Sequence, residues 1–179
     1  MQKFKKNFIG ILGGSFDPPH KGHLEISKIS LKKLNLNKLI WSITKKNPFK
    51  EKALFSLKKR INKCKAIILN NKKIKIRYLE KKTKSSRTID ILKYLIKKNN
   101  KNTEFFLIIG SDNLITFHKW KNYKKITSLC KIVVFSRSNF DKKAFSAIRL
   151  NNLNKKQIIH IKNKKIDISS SKLRKIYLR

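Results

Sequence analysis

The stretch FIGILGGSFDPPHKGH, residues 8–23, decides the fold of this chain. Residues 8–12 form a short apolar run ending in Gly13 and Gly14, which predicts a buried strand that enters a tight turn. After the turn, four residues recur with the period of one helix face: Leu24, Ser27, Leu31 and Leu34. A strand, a glycine turn and a helix in this order predict the opening of a β-α-β unit.

The rest of the chain continues this alternation. Five further apolar or alternating runs predict strands, at residues 39–43, 74–79, 105–109, 132–135 and 158–161. Helical patterns fall at residues 57–68 and 88–96. These elements predict an α/β fold with a doubly wound, mostly parallel sheet in one domain spanning residues 1–179. Because ligands bind outside the carboxyl ends of parallel strands, we expect the functional residues directly after strands.

The charge of the chain allows a second class of function. Its 179 residues include 47 Lys and Arg against 9 Asp and Glu, a formal net charge of +38, as in many nucleic-acid-binding proteins. However, 40 of the basic residues are Lys and 7 are Arg, and base readers depend on the bidentate Arg fork. Lys, Ile and Asn together supply 83 residues, which favours codon bias as the cause of the charge. A basic nucleic-acid-binding module remains the alternative from another class.

Targeting signals are absent from the pattern. No apolar run approaches the roughly 20 residues of a membrane span, and the first residues do not resemble a signal peptide. Cys64 and Cys130 stand alone, without the spacing of a metal site or a redox pair. We therefore expect a cytoplasmic protein with reduced cysteines and no membrane partner.

The segment after the first strand contains the residues best suited to chemistry. Gly13 and Gly14 let the backbone approach a ligand, and His20 and His23 lie three positions apart at the start of the helix. Free N–H groups and the positive dipole end at that position favour phosphate oxygens. The residues predict an anion site with proton donors; the alternative is a plain Gly/Pro turn with two exposed histidines. The spacing does not match HExxH, so we expect no protein-held metal.

The whole string resembles GxFDPxHxGH, the signature of the nucleotidylyltransferase superfamily, and meets every position of it. Members transfer a nucleotidyl group from a nucleoside triphosphate and release pyrophosphate. The resemblance implies a Rossmann-like fold and catalytic histidines that contact the triphosphate. It implies that these residues bind ATP: Gly13, Gly14, Ser15, Phe16, His20 and His23. We expect Asp17 to tie the motif loop to backbone donors, a structural role.

A second motif, ISSSKLR, occupies residues 168–174. By itself, a run of Ser that opens a helix is usually an N-cap. The run resembles the ISSTxIR motif that closes the ATP site in the superfamily, with Ser171 for Thr and Leu173 for Ile. The resemblance implies that Ser169, Ser170, Ser171 and Arg174 bind ATP and that Arg174 takes part in catalysis. We expect Mg²⁺ to accompany the ATP phosphates with few protein ligands.

The stretch FFLIIGSDNLITFHKWKNYKKI, residues 105–126, resembles the IIGxDxLxxFxxWxxxxxI segment of bacterial nicotinate-nucleotide adenylyltransferases. The resemblance implies that Gly110 and Asp112 contact the substrate, with Asp112 on ribose hydroxyls. It also implies that Trp120 stacks on the pyridine ring of nicotinate mononucleotide, which suits an indole beside a pyridinium. A core aromatic is the alternative for Trp120.

Three weaker matches complete the expected substrate site. Residues 85–92 resemble the SYTxxTL segment that receives the nicotinate carboxylate, so Arg87, in place of Tyr, and Thr88 are candidates. Arg87 either pairs with that carboxylate or faces water. Residues 47–50 resemble the NxPxHK loop, with Phe49 for His and with Lys50 as a candidate for a substrate phosphate. Arg137 lies in a partial match to the RxG segment.

The resemblance predicts an adenylyltransferase of NAD biosynthesis that joins ATP and nicotinate mononucleotide into deamido-NAD and pyrophosphate. The nearest alternative is phosphopantetheine adenylyltransferase, which generally shows Thr-Asn where this chain has His20-Lys21 and lacks the Trp120 segment. The sequence leaves open the oligomeric state, the selectivity for the acid over the amide, and a partner for the Lys-rich surface.

Overall fold

A computed structural model describes residues 6–45, 53–137, 140–163 and 170–177. The described residues form a six-stranded sheet in the order β3-β2-β1-β4-β5-β6, with every neighbouring pair parallel. The strands are β1 (Asn7–Gly14), β2 (Lys38–Ile43), β3 (Ile74–Arg77), β4 (Thr103–Gly110), β5 (Lys131–Phe135) and β6 (Ile158–Ile161). The predicted α/β class and parallel sheet are thus confirmed, and each predicted strand run contains a strand.

Helices cover both faces of this sheet. They are α1 (Lys21–Lys33), α2 (Leu57–Ile67), α3 (Glu80–Thr83), α4 (Thr88–Lys97), α5 (Ser111–Ile115), α6 (Tyr123–Leu129), α7 (Asp141–Leu150) and α8 (Ser170–Tyr177). Two short 3₁₀ helices occupy Phe117–Lys119 and Lys155–Gln157. The three helices indicated by the sequence pattern are α1, α2 and α4. Among the described residues, no helix has both the length and the apolar character needed to span a bilayer.

The core consists of two layers, one on each side of the sheet. Strand residues alternate between them: in β5, Ile132 and Val134 join the layer under α4, α6 and α7, whereas Val133 and Phe135 join the layer under α1 and α2. Since both faces of each central strand are buried, the strand sequences are continuous apolar runs instead of alternating ones. This explains why β4 and β5 are easily recognised in the sequence.

The turn after β1 lies later than the glycines predict. Gly13 pairs with Ser42 and Gly14 with Ile43, so both glycines belong to the strand. The chain turns at Phe16, whose φ of 48° is left-handed. A bulky residue is costly in that conformation, but its ring is buried and stacks on Trp41, with 4.9 Å between the ring centroids. Packing, not glycine, therefore stabilises this turn.

The strand order places a crevice beside β1. From β1 the chain proceeds outward to β2 and β3, then crosses back so that β4 pairs with the other side of β1. The loops that follow β1 and β4 therefore leave the sheet toward opposite faces, which opens a crevice at their carboxyl ends. Residues after Gly14 and after Gly110 border it.

Candidate active site

The two motif histidines lie at the start of α1. His20 is the N-cap and His23 lies in the first turn, with their ring centroids 3.8 Å apart. The main-chain N–H of His20 donates to Nδ1 of His23 at 3.2 Å. Because Nδ1 accepts this hydrogen bond, the neutral His23 ring carries its proton on Nε2. The local geometry thus fixes which nitrogen of His23 can donate to a ligand.

His20 is buried, with 7% of its surface exposed, and its Nδ1 has no hydrogen-bond partner among the described residues. Burial, and secondarily the charge of Arg137, lower the pKa of His20 to about 4. The imidazole is therefore neutral at pH 7. The alternative of a turn with two exposed histidines is wrong, since His20 is buried and His23 is half-buried.

Asp17 anchors the motif loop from within. Its side chain is fully buried, and its carboxylate accepts hydrogen bonds from the N–H groups of Leu54 at 2.7 Å and Phe55 at 3.0 Å. Arg174 Nη1 lies 3.6 Å from the same carboxylate. The expected tie to backbone donors is confirmed. It joins the motif loop to the segment that precedes α2.

The C-terminal helix α8 docks on the same loop. Ser170 Oγ donates to the carbonyl of Pro18 at 2.9 Å, and Arg174 Nη1 donates to the carbonyl of Asp17 at 3.3 Å. Ser169 and the side chain of Ser171 lie outside the described residues. The fold therefore brings two residues of the second motif to the loop that contains the histidines.

The end of β4 supplies an ion pair. Asp112 Oδ1 lies 3.4 Å from Arg137 Nε, and both side chains are partly exposed. Ser111 Oγ, fully buried, accepts the main-chain N–H of Arg137 at 2.9 Å. A Cβ at Gly110 would collide with Asp112 Oδ1 and Arg137 Nε, so a larger residue at this position would displace the ion pair. The positive charge of Arg137 lowers the pKa of His20.

The expected acceptor residues lie on other elements. Arg87 is the exposed N-cap of α4, and its N–H donates to Ser85 Oγ at 3.1 Å; Thr88 begins that helix. Trp120 is half-buried against Phe117, at 5.2 Å between ring centroids. Lys50 lies outside the described residues. None of the described contacts links Arg87, Thr88 or Trp120 to the histidine pair.

These observations can be compared with known proteins. Residues 11–176 match the cytidylyltransferase-like family. Over 172 residues the chain is 49% identical to a probable nicotinate-nucleotide adenylyltransferase of Pelagibacter ubique, covering 96% of this chain and 94% of the relative. The chain belongs to the nicotinate-nucleotide adenylyltransferase family. A Fusobacterium nucleatum relative with the same description is 40% identical over 169 residues, and the match covers 93% of this chain and 85% of the relative.

The fold is also similar to solved structures of this kind of enzyme. It resembles Plasmodium falciparum nicotinic acid mononucleotide adenylyltransferase complexed with NaAD, with a TM-score of 0.76 and 25% identity. The match covers 94% of this chain and 83% of that one. A second structure of that enzyme, complexed with APC, matches with a TM-score of 0.74. The family predicted from the motifs is thereby confirmed.

This adenylyltransferase family member also contains a buried arginine that sequence reasoning missed. Arg60, on α2, is 1% exposed. Its guanidinium donates to four main-chain carbonyls, those of Ser15, Thr44, Lys45 and Phe55. Burial lowers its pKa, and the charge of Asp17 acts in the opposite direction. The signal was its position: Arg60 falls within the apolar stripe of Leu57, Ile61 and Cys64, where a solvated basic residue does not belong.

Glu80, the first residue of α3, also binds the segment that follows β2. Its carboxylate accepts hydrogen bonds from the Thr44 hydroxyl and from the Lys45 N–H, the latter at 3.2 Å. Arg60 and Glu80 thus both bind the segment that directly follows β2. No group of three or more His, Cys, Asp or Glu within the described ranges could bind a metal.

Proposed function

We propose that this chain transfers the adenylyl group of ATP to the 5′-phosphate of nicotinate mononucleotide, giving deamido-NAD and pyrophosphate in NAD biosynthesis. The observation that carries the proposal is the meeting of both motifs at the carboxyl end of β1, where Ser170 and Arg174 contact the loop of His20 and His23. The names of the relatives and of the similar structures agree with it.

The ATP site would form around this meeting point. Gly13, Gly14, Ser15 and the main chain of Phe16 would line the nucleotide, with Ser169, Ser170 and Ser171 on the phosphates. A Cβ at Gly13 would have no heavy atom within 4 Å, so the strand end has open space beside it. The N–H groups at the start of α1 add donors and a positive dipole end. Mg²⁺ enters as part of the MgATP substrate, bound through phosphate oxygens.

The transfer needs no general base, because an ionised phosphate is already a nucleophile. An oxygen of the mononucleotide phosphate forms a bond to the α-phosphorus, and the bond from that phosphorus to the bridging oxygen breaks as pyrophosphate leaves. His20, His23 and Arg174 would stabilise the charge on the α-phosphate and the leaving group. Catalysis then depends on positioning and electrostatics.

The acceptor would bind across β4 and its neighbours. We assign Asp112 to the ribose hydroxyls of nicotinate mononucleotide, with Gly110 and Arg137 beside it. Trp120 would stack on the pyridine ring, and Lys50 would bind the phosphate. Arg87 and Thr88, at the start of α4, would receive the nicotinate carboxylate, which a helix N-terminus favours. We further propose one domain over residues 1–179 and a cytoplasmic location, since Cys64 and Cys130 are free, buried thiols in separate core layers.

The test is pyrophosphate release from MgATP with nicotinate mononucleotide, nicotinamide mononucleotide or phosphopantetheine as acceptor. We expect the fastest release with nicotinate mononucleotide, together with a dinucleotide product of the mass of deamido-NAD. Release with phosphopantetheine alone would move the chain to coenzyme A synthesis. No release with any acceptor, together with salt-sensitive binding of nucleic acid, would support the binding-module alternative.

A further inference from the structure

A buried cluster of aromatic rings packs against the motif histidines. Trp41, on β2, stacks on Phe16 with 4.9 Å between centroids and 17° between planes. Phe16 in turn lies 4.8 Å from the ring of His23, which lies 3.8 Å from that of His20. Trp41 is 0% exposed and Phe16 is 1% exposed. The ring of Trp41 also lies 6.0 Å from that of His23, so Phe16 and Trp41 both pack against the imidazole.

A second connection joins the same tryptophan to the main chain of His23. The indole Nε1–H of Trp41 donates to Ser27 Oγ at 2.7 Å, and Ser27 Oγ donates to the carbonyl of His23 at 2.7 Å. The direction is fixed at both ends, because an indole nitrogen only donates and a carbonyl only accepts. Ser27 is fully buried, so water does not replace either bond.

We propose that Trp41 is a positioning residue for His23. It supports the imidazole with its own ring and through Phe16, and it supports the main chain through Ser27, while the N–H of His20 holds Nδ1. These three restraints fix the position, the orientation and the tautomer of the ring. A donor that must meet a triphosphate in its transition state loses effect when it is displaced by about 1 Å. Trp41 thus acts on the adenylyl transfer proposed above without touching either substrate.

The chain offers a matched control for this relay, the hydrogen-bonded path from Trp41 through Ser27 to the carbonyl of His23. Ser30 is one turn beyond Ser27 on α1, is also fully buried, and donates to the carbonyl of Ile26 at 2.8 Å. Its described hydrogen bond reaches neither Trp41 nor a histidine. Ser27→Ala and Ser30→Ala remove the same hydroxyl from the same environment, but only Ser27→Ala breaks the connection to His23. Trp41→Phe keeps an aromatic ring in the cluster and removes the indole donor.

The first measurement is steady-state kinetics with MgATP and nicotinate mononucleotide. We expect Ser27→Ala and Trp41→Phe each to lower kcat by about tenfold, with KM for nicotinate mononucleotide changed by less than about twofold. Ser30→Ala should keep kcat within about twofold of the parent while it lowers the melting temperature as much as Ser27→Ala does. The double variant should be no slower than the slower single one, because both substitutions break one relay.

The second measurement does not depend on activity. The side-chain ¹⁵N shifts of His23 report its tautomer, and we expect a single Nε2–H form in the parent and in Ser30→Ala. Ser27→Ala and Trp41→Phe should shift these signals toward a tautomer mixture. The proposal is overturned if both variants lose stability with unchanged kcat and unchanged His23 shifts, since Trp41 then only packs the core. If the parent protein shows no transfer, the proposed function fails, and the ¹⁵N shifts alone decide the positioning role.

Discussion

The guanidinium of Arg174 lies 3.6 Å from the carboxylate of Asp17, although the two residues are 157 positions apart in the chain. Asp17 is fully buried and also accepts two main-chain N–H groups from the segment before α2. One carboxylate therefore fixes the motif loop, the start of α2 and the C-terminal helix with respect to one another. Each of these parts contributes to the proposed ATP site or supports it.

The docking of α8 predicts an effect of Tyr177 on ATP binding. Its ring meets that of Phe55 edge to face at 5.4 Å, and the Lys63 ammonium lies near both rings. Tyr177→Ala should raise KM for ATP by about three- to tenfold, because Arg174 and Ser170 then lose part of the packing that places their helix. Tyr177→Phe keeps the ring contact and should leave KM for ATP near the parent value. Equal KM values for Ala and Phe would contradict this role.

His20 should be essential for turnover. His20→Ala should lower kcat by about 100-fold or more, the loss typical of a removed donor to developing charge. The fold should persist, as judged by circular dichroism, because the side chain makes no described hydrogen bond through Nδ1. His118→Ala, at an exposed histidine of the 3₁₀ helix, is the control and should retain full activity. Comparable rates for the two variants would remove His20 from the mechanism.

The same residue should make stability depend on pH. The pKa of His20 is about 4 in the folded protein, below its ordinary value of 6.5, so the unfolded chain binds a proton first as the pH falls. Between pH 7 and pH 5 this linkage should cost the native protein about 2 kcal/mol, and the loss should stop growing below about pH 4. His20→Gln removes the titrating group.

Urea unfolding at pH 7 and pH 5 measures that difference. The parent should lose more free energy of unfolding than His20→Gln over this interval, by the amount of the His20 linkage. Other titrating groups contribute equally to both proteins and cancel in the comparison. Identical losses in the two proteins would show that His20 titrates normally.

Arg60 should be needed for stability. Arg60→Lys keeps the charge but cannot reach four carbonyls with one ammonium, so buried acceptors remain unpaired. We expect a loss of about 3 kcal/mol in the free energy of unfolding. Arg149→Lys, on the exposed side of α7, is the control and should change stability by less than about 0.5 kcal/mol. An equally small change for Arg60→Lys would show that the hydrogen bonds of Arg60 do not contribute to stability.

The fold followed from the sequence where the signal was local. The runs at β4 and β5 are buried on both faces, so a stretch such as Phe105–Ile109 is recognisable without its partners. The helix α7 was not predicted, because only three of its ten residues are buried, Ala144, Ala147 and Ile148, and two of these are small, which leaves a weak apolar stripe. The turn was placed too early because Gly13 and Gly14 are usual turn residues, whereas Phe16 adopts the left-handed conformation through packing.

The site was predictable only as far as its motifs extend. His20, His23, Ser170 and Arg174 stand in recognisable strings, and their meeting follows from a parallel sheet. The supports do not, because they join distant positions: Arg60 reaches back 45 residues to Ser15, and Trp41 looks like any apolar strand residue. The direction of a hydrogen bond from its indole depends on the packing of α1 against β2, which spacing does not encode.

The four hydrogen bonds of the Arg60 guanidinium affect how this protein tolerates sequence change. All four of its described acceptors are main-chain carbonyls, so it recognises the path of the chain and no particular side chain. Ser15, Thr44, Lys45 and Phe55 can exchange side chains without removing an acceptor. The side chains at these four positions can therefore change, for instance as the composition shifts toward Lys, Ile and Asn. The guanidinium of Arg60 would still hold the main chain of the same segments in place.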